Sequence, residues 1–147
     1  MYKQIILACD GSEHALRAAE HALRAAEHAT YIAKCSEEAN VEVVYVVDNR
    51  TAKSDIIQGQ TDLETVSASR KDKLKEIEGL LKKENISYKI TILHGDPGDT
   101  IVQYVNTGDI DLVIAGSRGL NTLQEMVLGS VSHKIAKRVK CPVMIIK

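Results

Sequence analysis

The chain contains no tryptophan and no phenylalanine, and five tyrosines are its only aromatic residues. With 147 residues it is long enough for one domain with a full core, and aliphatic side chains must supply that core. An excess of one charge is also missing. Nineteen Lys and Arg stand against 20 Asp and Glu, a formal net charge of −1. This excludes the basic field by which a protein grips nucleic acid or an anionic membrane. No apolar run approaches the ~20 residues needed to span a bilayer. The opening run Met1–Ala8 passes directly into Cys9-Asp10 and lacks the h-region of a signal peptide. Cysteine is scarce: Cys9, Cys35 and Cys141 show neither CxxC nor metal-type spacing. Cys9 and Cys141 fall in or beside expected strands, where a thiol acts as a small hydrophobe, so a reduced, cytoplasmic protein is expected.

What the chain does have is a regular alternation of apolar runs and helical segments. Lys3–Cys9 reads as a strand ending at Asp10-Gly11-Ser12, with Ser12 a natural helix cap, and an alanine-rich helix follows to about Ala39. Val41–Val47 (VEVVYVV) is β-branched and almost wholly apolar, as expected of a strand covered on both faces. A polar loop over about 48–60 precedes an amphipathic helix from Leu63 to Glu84. A third strand, Ser87–Leu93, leads through His94-Gly95-Asp96-Pro97-Gly98 into a helix that reaches about Asn106. Leu112–Ala115 is a fourth strand, Ser130–Val139 a helix and Val143–Ile146 a fifth strand. Such strict β-α alternation demands a parallel α/β sheet with right-handed crossovers and helices on both faces. Ligands in that architecture sit beyond the carboxyl ends of the strands, at the point where strand order reverses.

Directly after the fourth strand comes Gly116-Ser117-Arg118-Gly119, and after nine intervening residues come Gly129-Ser130, a G-x2-G-x9-G-S pattern. Glycines between a strand and a helix allow close backbone approach, and free N–H groups at a helix start suit an anion. No acidic residue lies between Gly116 and Gln124. Phosphate binding and a purely structural role, with tight turns and a helix break, both fit this spacing.

A second feature is a perfect repeat: EHALRAA at Glu13–Ala19 recurs at Glu20–Ala26, and Glu27-His28-Ala29 begins a third copy. Tandem duplication and deliberate engineering both account for it. Too few heptads and a mostly alanine seam argue against a coiled coil. His14, His21 and His28 lie ~10.5 Å apart along a helix, so one ion cannot bridge them. Seven residues keep a buried face nearly in phase, drifting by only ~20°. A longer helix or a local two-turn extrusion is therefore expected, with surplus length near Cys35–Asn40 if Ser12 holds its place.

The stretches ILACDGS, VVYVVD and LVIAGSRG…LGSVSHKIAKRVKCPVMIIK together resemble the universal stress protein family across essentially the whole chain. The resemblance implies one nucleotide-binding domain over 1–147, a Rossmann-like five-stranded parallel sheet in order 3-2-1-4-5, and homodimers joined along the last strand, here 142–147. In that family the glycine pattern marks members that bind ATP. By analogy Gly116, Gly119, Gly129 and Ser130, with Val131 beside them, hold the phosphates. Asp10 is implied as a contact to the adenosine part, or else it is a turn residue. Val46 and Ala8 are implied as walls of the adenine pocket. Arg118 either neutralises phosphate or is solvated, and Ser132 either adds a hydroxyl near the phosphates or faces solvent on its helix. Glu125 stands close to the implied phosphate loop, where a carboxylate repels ATP unless turned outward or shared with a metal, and Asp96 and Asp99 are further acidic groups on that edge; a Mg²⁺ held mainly through phosphates and water needs little from the protein.

The chain has no GxxxxGK[ST] loop, no Ser/His/Asp constellation and no evident base beside the glycines, and His133 is expected to be exposed. A dimeric ATP-binding regulatory module of the stress response, with an unidentified protein partner, is thus the leading expectation. A slow ATP hydrolase and a structural dimerisation domain with an empty pocket are the alternatives.

Overall fold

The apolar runs form five parallel strands: β1 (Gln4–Cys9), β2 (Asn40–Val47), β3 (Ser87–His94), β4 (Leu112–Gly116) and β5 (Val143–Ile146). Between them lie α1 (Ala15–Ala33), α2 (Ala68–Lys83), α3 (Pro97–Thr107) and α4 (Ser130–Arg138). The structure is a computed structural model that describes residues 2–9, 15–47, 68–116 and 129–146. The side chains of 15–22 and 68–70 fall outside that description. Strand order is β3-β2-β1-β4-β5, as the resemblance implies.

Right-handed crossovers decide which helix covers which face. The chain steps outward from β1 to β2 to β3, reverses across the sheet to β4, and steps on to β5. Helices α1 and α2 therefore share one face, and α3 and α4 the other. The core divides accordingly. Ile5, Leu7, Cys9, Val41, Val43 and Tyr45 pack with Ala25, Ala26, Ala29, Leu74, Ile77 and Leu81. The alternate residues Ile6, Ala8, Val44, Val46, Val113 and Ala115 pack with Ile101, Val105, Val131 and Ile135. Two apolar faces on one strand explain why VEVVYVV alternates so little.

Helix α1 is continuous from Ala15 to Ala33 and thus runs through most of both heptad copies. In the second copy Ala25 and Ala26 are buried, and Ala29, Thr30 and Ala33 continue that stripe one and two turns on. The helix ends earlier than the alanine content suggests. Cys35 and Ser36 donate their N–H groups to the carbonyls of Ile32 and Ala33, a tightening turn, and Asn40 N–H bonds Lys3 O at 2.7 Å to open β2. Residues 34–39 are thus occupied by turns, with no overhanging helix at this end.

At the other end of the β2–β3 pair, Gly95 has φ 143° and its N–H bonds Val47 O at 3.1 Å. A Cβ there would stand 2.5 Å from Thr100 Oγ1, so the turn requires glycine. Asp96 then caps α3 by accepting the Asp99 N–H at 3.1 Å, with Pro97 in the first turn, where a missing N–H costs nothing.

Candidate functional site

The strand order reverses between β1 and β4, so the crevice of interest lies beyond their carboxyl ends. On the face covered by α3 and α4, Ala8 stands beside Ala115 in the β1–β4 register and beside Val44 in the β1–β2 register. Val46 continues the same face one step further along β2. Ala8 and Ala115 are the smallest side chains on that face, so the sheet floor is low where β1 and β4 end. The structure thus places Ala8 and Val46 on one face of the sheet.

The other wall is the start of α4. Gly129 is the N-cap residue, extended at φ −56° and ψ 155°, and as a glycine it brings no capping side chain of its own. The helix's own ladder begins with His133 N–H on Gly129 O at 2.9 Å. The N–H groups of Ser130, Val131 and Ser132 precede that bond, leaving donors of the kind that attract an anion. The first turn holds no acidic residue, and Lys137 and Arg138 sit in the last turn, where cations complement the helix dipole. Ser130 is exposed and Val131 is buried, so Val131 offers backbone rather than side chain to the edge.

Ser132 departs from both alternatives read from the sequence. It is 3% exposed, and its hydroxyl donates to Gly116 O at 2.9 Å, so it neither faces solvent nor keeps a free proton for a ligand. Helical geometry explains the placement. Val131, Ile135 and Val139 define an inward arc, and at ~100° per residue Ser132 lies about 60° from its centre while His133 lies about 160° away. His133 is exposed, as expected.

Among the described residues, the acidic groups Asp96 and Asp99 on this edge are engaged. Lys134 Nζ lies 3.2 Å from both Asp96 Oδ1 and Asp99 Oδ1, and Arg138 is 3.2 Å from Asp99 Oδ1. Bonds to the two carboxylates raise the Lys134 pKa above its ordinary value. Helix α3 approaches closely at Gly98, where a Cβ would meet Lys134 Cδ at 2.6 Å. Asp96 and Asp99 thus serve as the seam between α3 and α4. Asp10, Arg118, Gly119, Glu125, Ser12 and the loop at 48–60 lie outside the described residues.

One polar feature is hidden within the apolar pattern of β2. Glu42 is 4% exposed, on the α3 side of the sheet near the amino ends of the strands. Its Oε1 accepts the Thr91 hydroxyl at 2.6 Å and the Tyr104 hydroxyl at 2.5 Å, and Lys89 Nζ lies 3.3 Å from Oε2. The bond to Glu42, then burial, holds the Tyr104 phenol above its usual pKa. A groove of about 490 Å³ opens beside this cluster, between Gln4, Thr107 and Asp109. The parity of β2 carried a signal, since residue 42 shares its face with 44 and 46; its partners on β3 and α3 carried none.

The sequence profile described as "Universal stress protein family" matches residues 1–147. A universal stress protein of Methanocaldococcus jannaschii is 28% identical over 100% of this chain and 83% of its own length. The solved structure of MJ0577, from the same organism, aligns with a TM-score of 0.75 at 28% identity, covering 100% of this chain and 96% of that one. A universal stress protein solved in complex with cAMP aligns at 0.67 and 24% identity, over 99% of this chain and 97% of that one.

Proposed function

The chain belongs to the universal stress protein family, and from that premise we propose that it is an ATP-binding regulatory module of the stress response that acts as a dimer. The observation that carries the reading is the start of α4. Gly129 brings the helix no capping side chain of its own at the switch-point edge, beside the low floor at Ala8 and Ala115. In this reading the phosphates accept from the N–H groups of Ser130, Val131 and Ser132, with Gly116 and Gly119 allowing close backbone approach. Adenine rests against Ala8 and Val46, Asp10 faces the adenosine part, and Arg118 offsets phosphate charge. Mg²⁺, when present, is held mainly by phosphate oxygens and water. The dimer forms along β5, which is an edge of the sheet and offers the partly buried Val143, Met144 and Ile145 for pairing. Nucleotide occupancy changes the surface shown to a protein partner, with the 48–60 loop as its reporter.

Calorimetric titration with ATP, AMP and cAMP tests the ligand. Saturable ATP binding is expected, reduced at least about tenfold in a Gly129→Val variant that melts like the parent. No saturable binding, or equal affinity in the variant, overturns the reading. Preference for AMP or cAMP overturns the triphosphate assignment alone. Sustained phosphate release abolished by Gly129→Val would make the protein a hydrolase rather than a module.

A further inference from the structure

The two ends of the glycine pattern, Gly116 and Gly129-Ser130, belong to different elements, and one side chain joins them. Ser132 Oγ donates to the Gly116 carbonyl at 2.9 Å from a position that is 3% exposed. A serine hydroxyl has a single proton, and here the Gly116 carbonyl takes it. An ionised phosphate oxygen only accepts, so the Ser132 hydroxyl in this arrangement cannot bond one. We propose that Ser132 is a positioning residue: it ties the first turn of α4 to the end of β4, so that the N–H groups of residues 130–132 are aimed at the edge before any ligand arrives. This rests on the reading of that edge as a phosphate site.

The neighbouring contacts show what the bond adds. Lys134 is held by Asp96 and Asp99, Arg138 by Asp99, and Ile135 is 1% exposed in the core. These fix the second half of α4 to α3 and the sheet. Among the described residues, the first turn is held by Val131 packing, at 8% exposure, and by the Ser132 bond. Gly116 lies one residue past the last registered β1–β4 pair, Ala8 with Ala115, and is the last residue of β4, paired with Ile146 of the edge strand β5. Removing the hydroxyl therefore loosens the phosphate-facing turn while the rest of the helix stays docked. Preorganised donors gain strength because no reorganisation is left to be done when the anion arrives.

The readout is the ratio of adenosine to ATP dissociation constants, measured by calorimetry in the wild type, Ser132→Ala and Ser132→Thr. Wild type is expected to bind ATP more tightly than adenosine. Ser132→Ala is expected to lose about tenfold in ATP affinity and little in adenosine affinity, and Ser132→Thr to restore the ratio through its hydroxyl. A general loss of stability would weaken both ligands and leave the ratio unchanged. A wild type with no preference for ATP overturns the phosphate site and this proposal together. A preference present in the wild type and intact in Ser132→Ala overturns the proposal alone.

Discussion

A buried carboxylate and a buried hydroxyl, Glu42 and Ser132, settle more of this molecule than their positions in apolar stretches suggest. Each is paired, as burial demands. Truncation of Glu42 leaves the hydroxyls of Thr91 and Tyr104 inside the sheet–α3 interface without their acceptor. Glu42→Ala is therefore expected to cost about 2–4 kcal/mol in urea unfolding, and Glu42→Gln, which keeps an acceptor, distinctly less. Equal costs would show that side-chain volume rather than the hydrogen bonds matters there. The thiols can be ranked similarly. Cys35 is exposed, Cys9 is 6% exposed, and burial raises the Cys141 thiol above its usual pKa. A thiol reagent at neutral pH is expected to label Cys35 first, the half-buried Cys141 more slowly, and Cys9 only as the fold opens. Labelling of Cys9 as fast as Cys35 in the folded protein would contradict the placement of Cys9.

The elements themselves were largely legible, and the reasons differ from one to the next. Strands β2 and β5 announced themselves as β-branched runs, and Asp96-Pro97 marked the start of α3 through cap chemistry. The end of α1 was not legible. Helix propensity runs on past Ala33, but tight turns through Cys35 and Ser36 break the helix so that Asn40 meets Lys3 at the edge of the sheet. Ser132 was legible in principle from the arc of Val131, Ile135 and Val139, but its acceptor on β4 was not, because that contact crosses the glycine pattern. Asp111 is likewise visible only in three dimensions. It precedes β4, and its Oδ2 accepts the N–H groups of Lys3 and Gln4 at 2.8 Å each, fixing the start of β1. These bonds lower its pKa below the ordinary carboxylate value. A lowered folded-state pKa means the contribution is complete above the unfolded value, near pH 4 for Asp, and is lost as pH falls toward the folded value. Asp111→Asn is thus expected to reduce the acid-side fall in melting temperature between about pH 5 and 3. An unchanged acid profile would mean that other carboxylates carry it.

At the scale of the whole molecule, two layers of helices on one sheet leave a single switch-point crevice, and strand order alone specifies where it is. The alternation of elements predicted a parallel α/β sheet, and the family resemblance implied its order. The repeated heptad does not disturb it, since α1 is continuous through most of both copies and packs the alanines of the second. Deletion of Glu13–Ala19 is expected to leave a cooperatively folding protein with about two turns less helix by circular dichroism, because the inward face shifts by only ~20°. Loss of cooperative unfolding would show that the added length is part of the fold. The glycine pattern was readable as a motif, and its connection to Ala8 and Val46 as a possibility. Only the sheet register put those side chains on one face with α4.

The most direct test of the central claim is the set of backbone amide chemical-shift changes on adding ATP to uniformly ¹⁵N-labelled protein. The account predicts saturable shifts concentrated at Ala8, Gly116 and Gly129–His133, at the carboxyl edge of the sheet. Shifts centred instead on Glu42, Lys89 and Tyr104 at the opposite edge, or no saturable shifts at all, would contradict it.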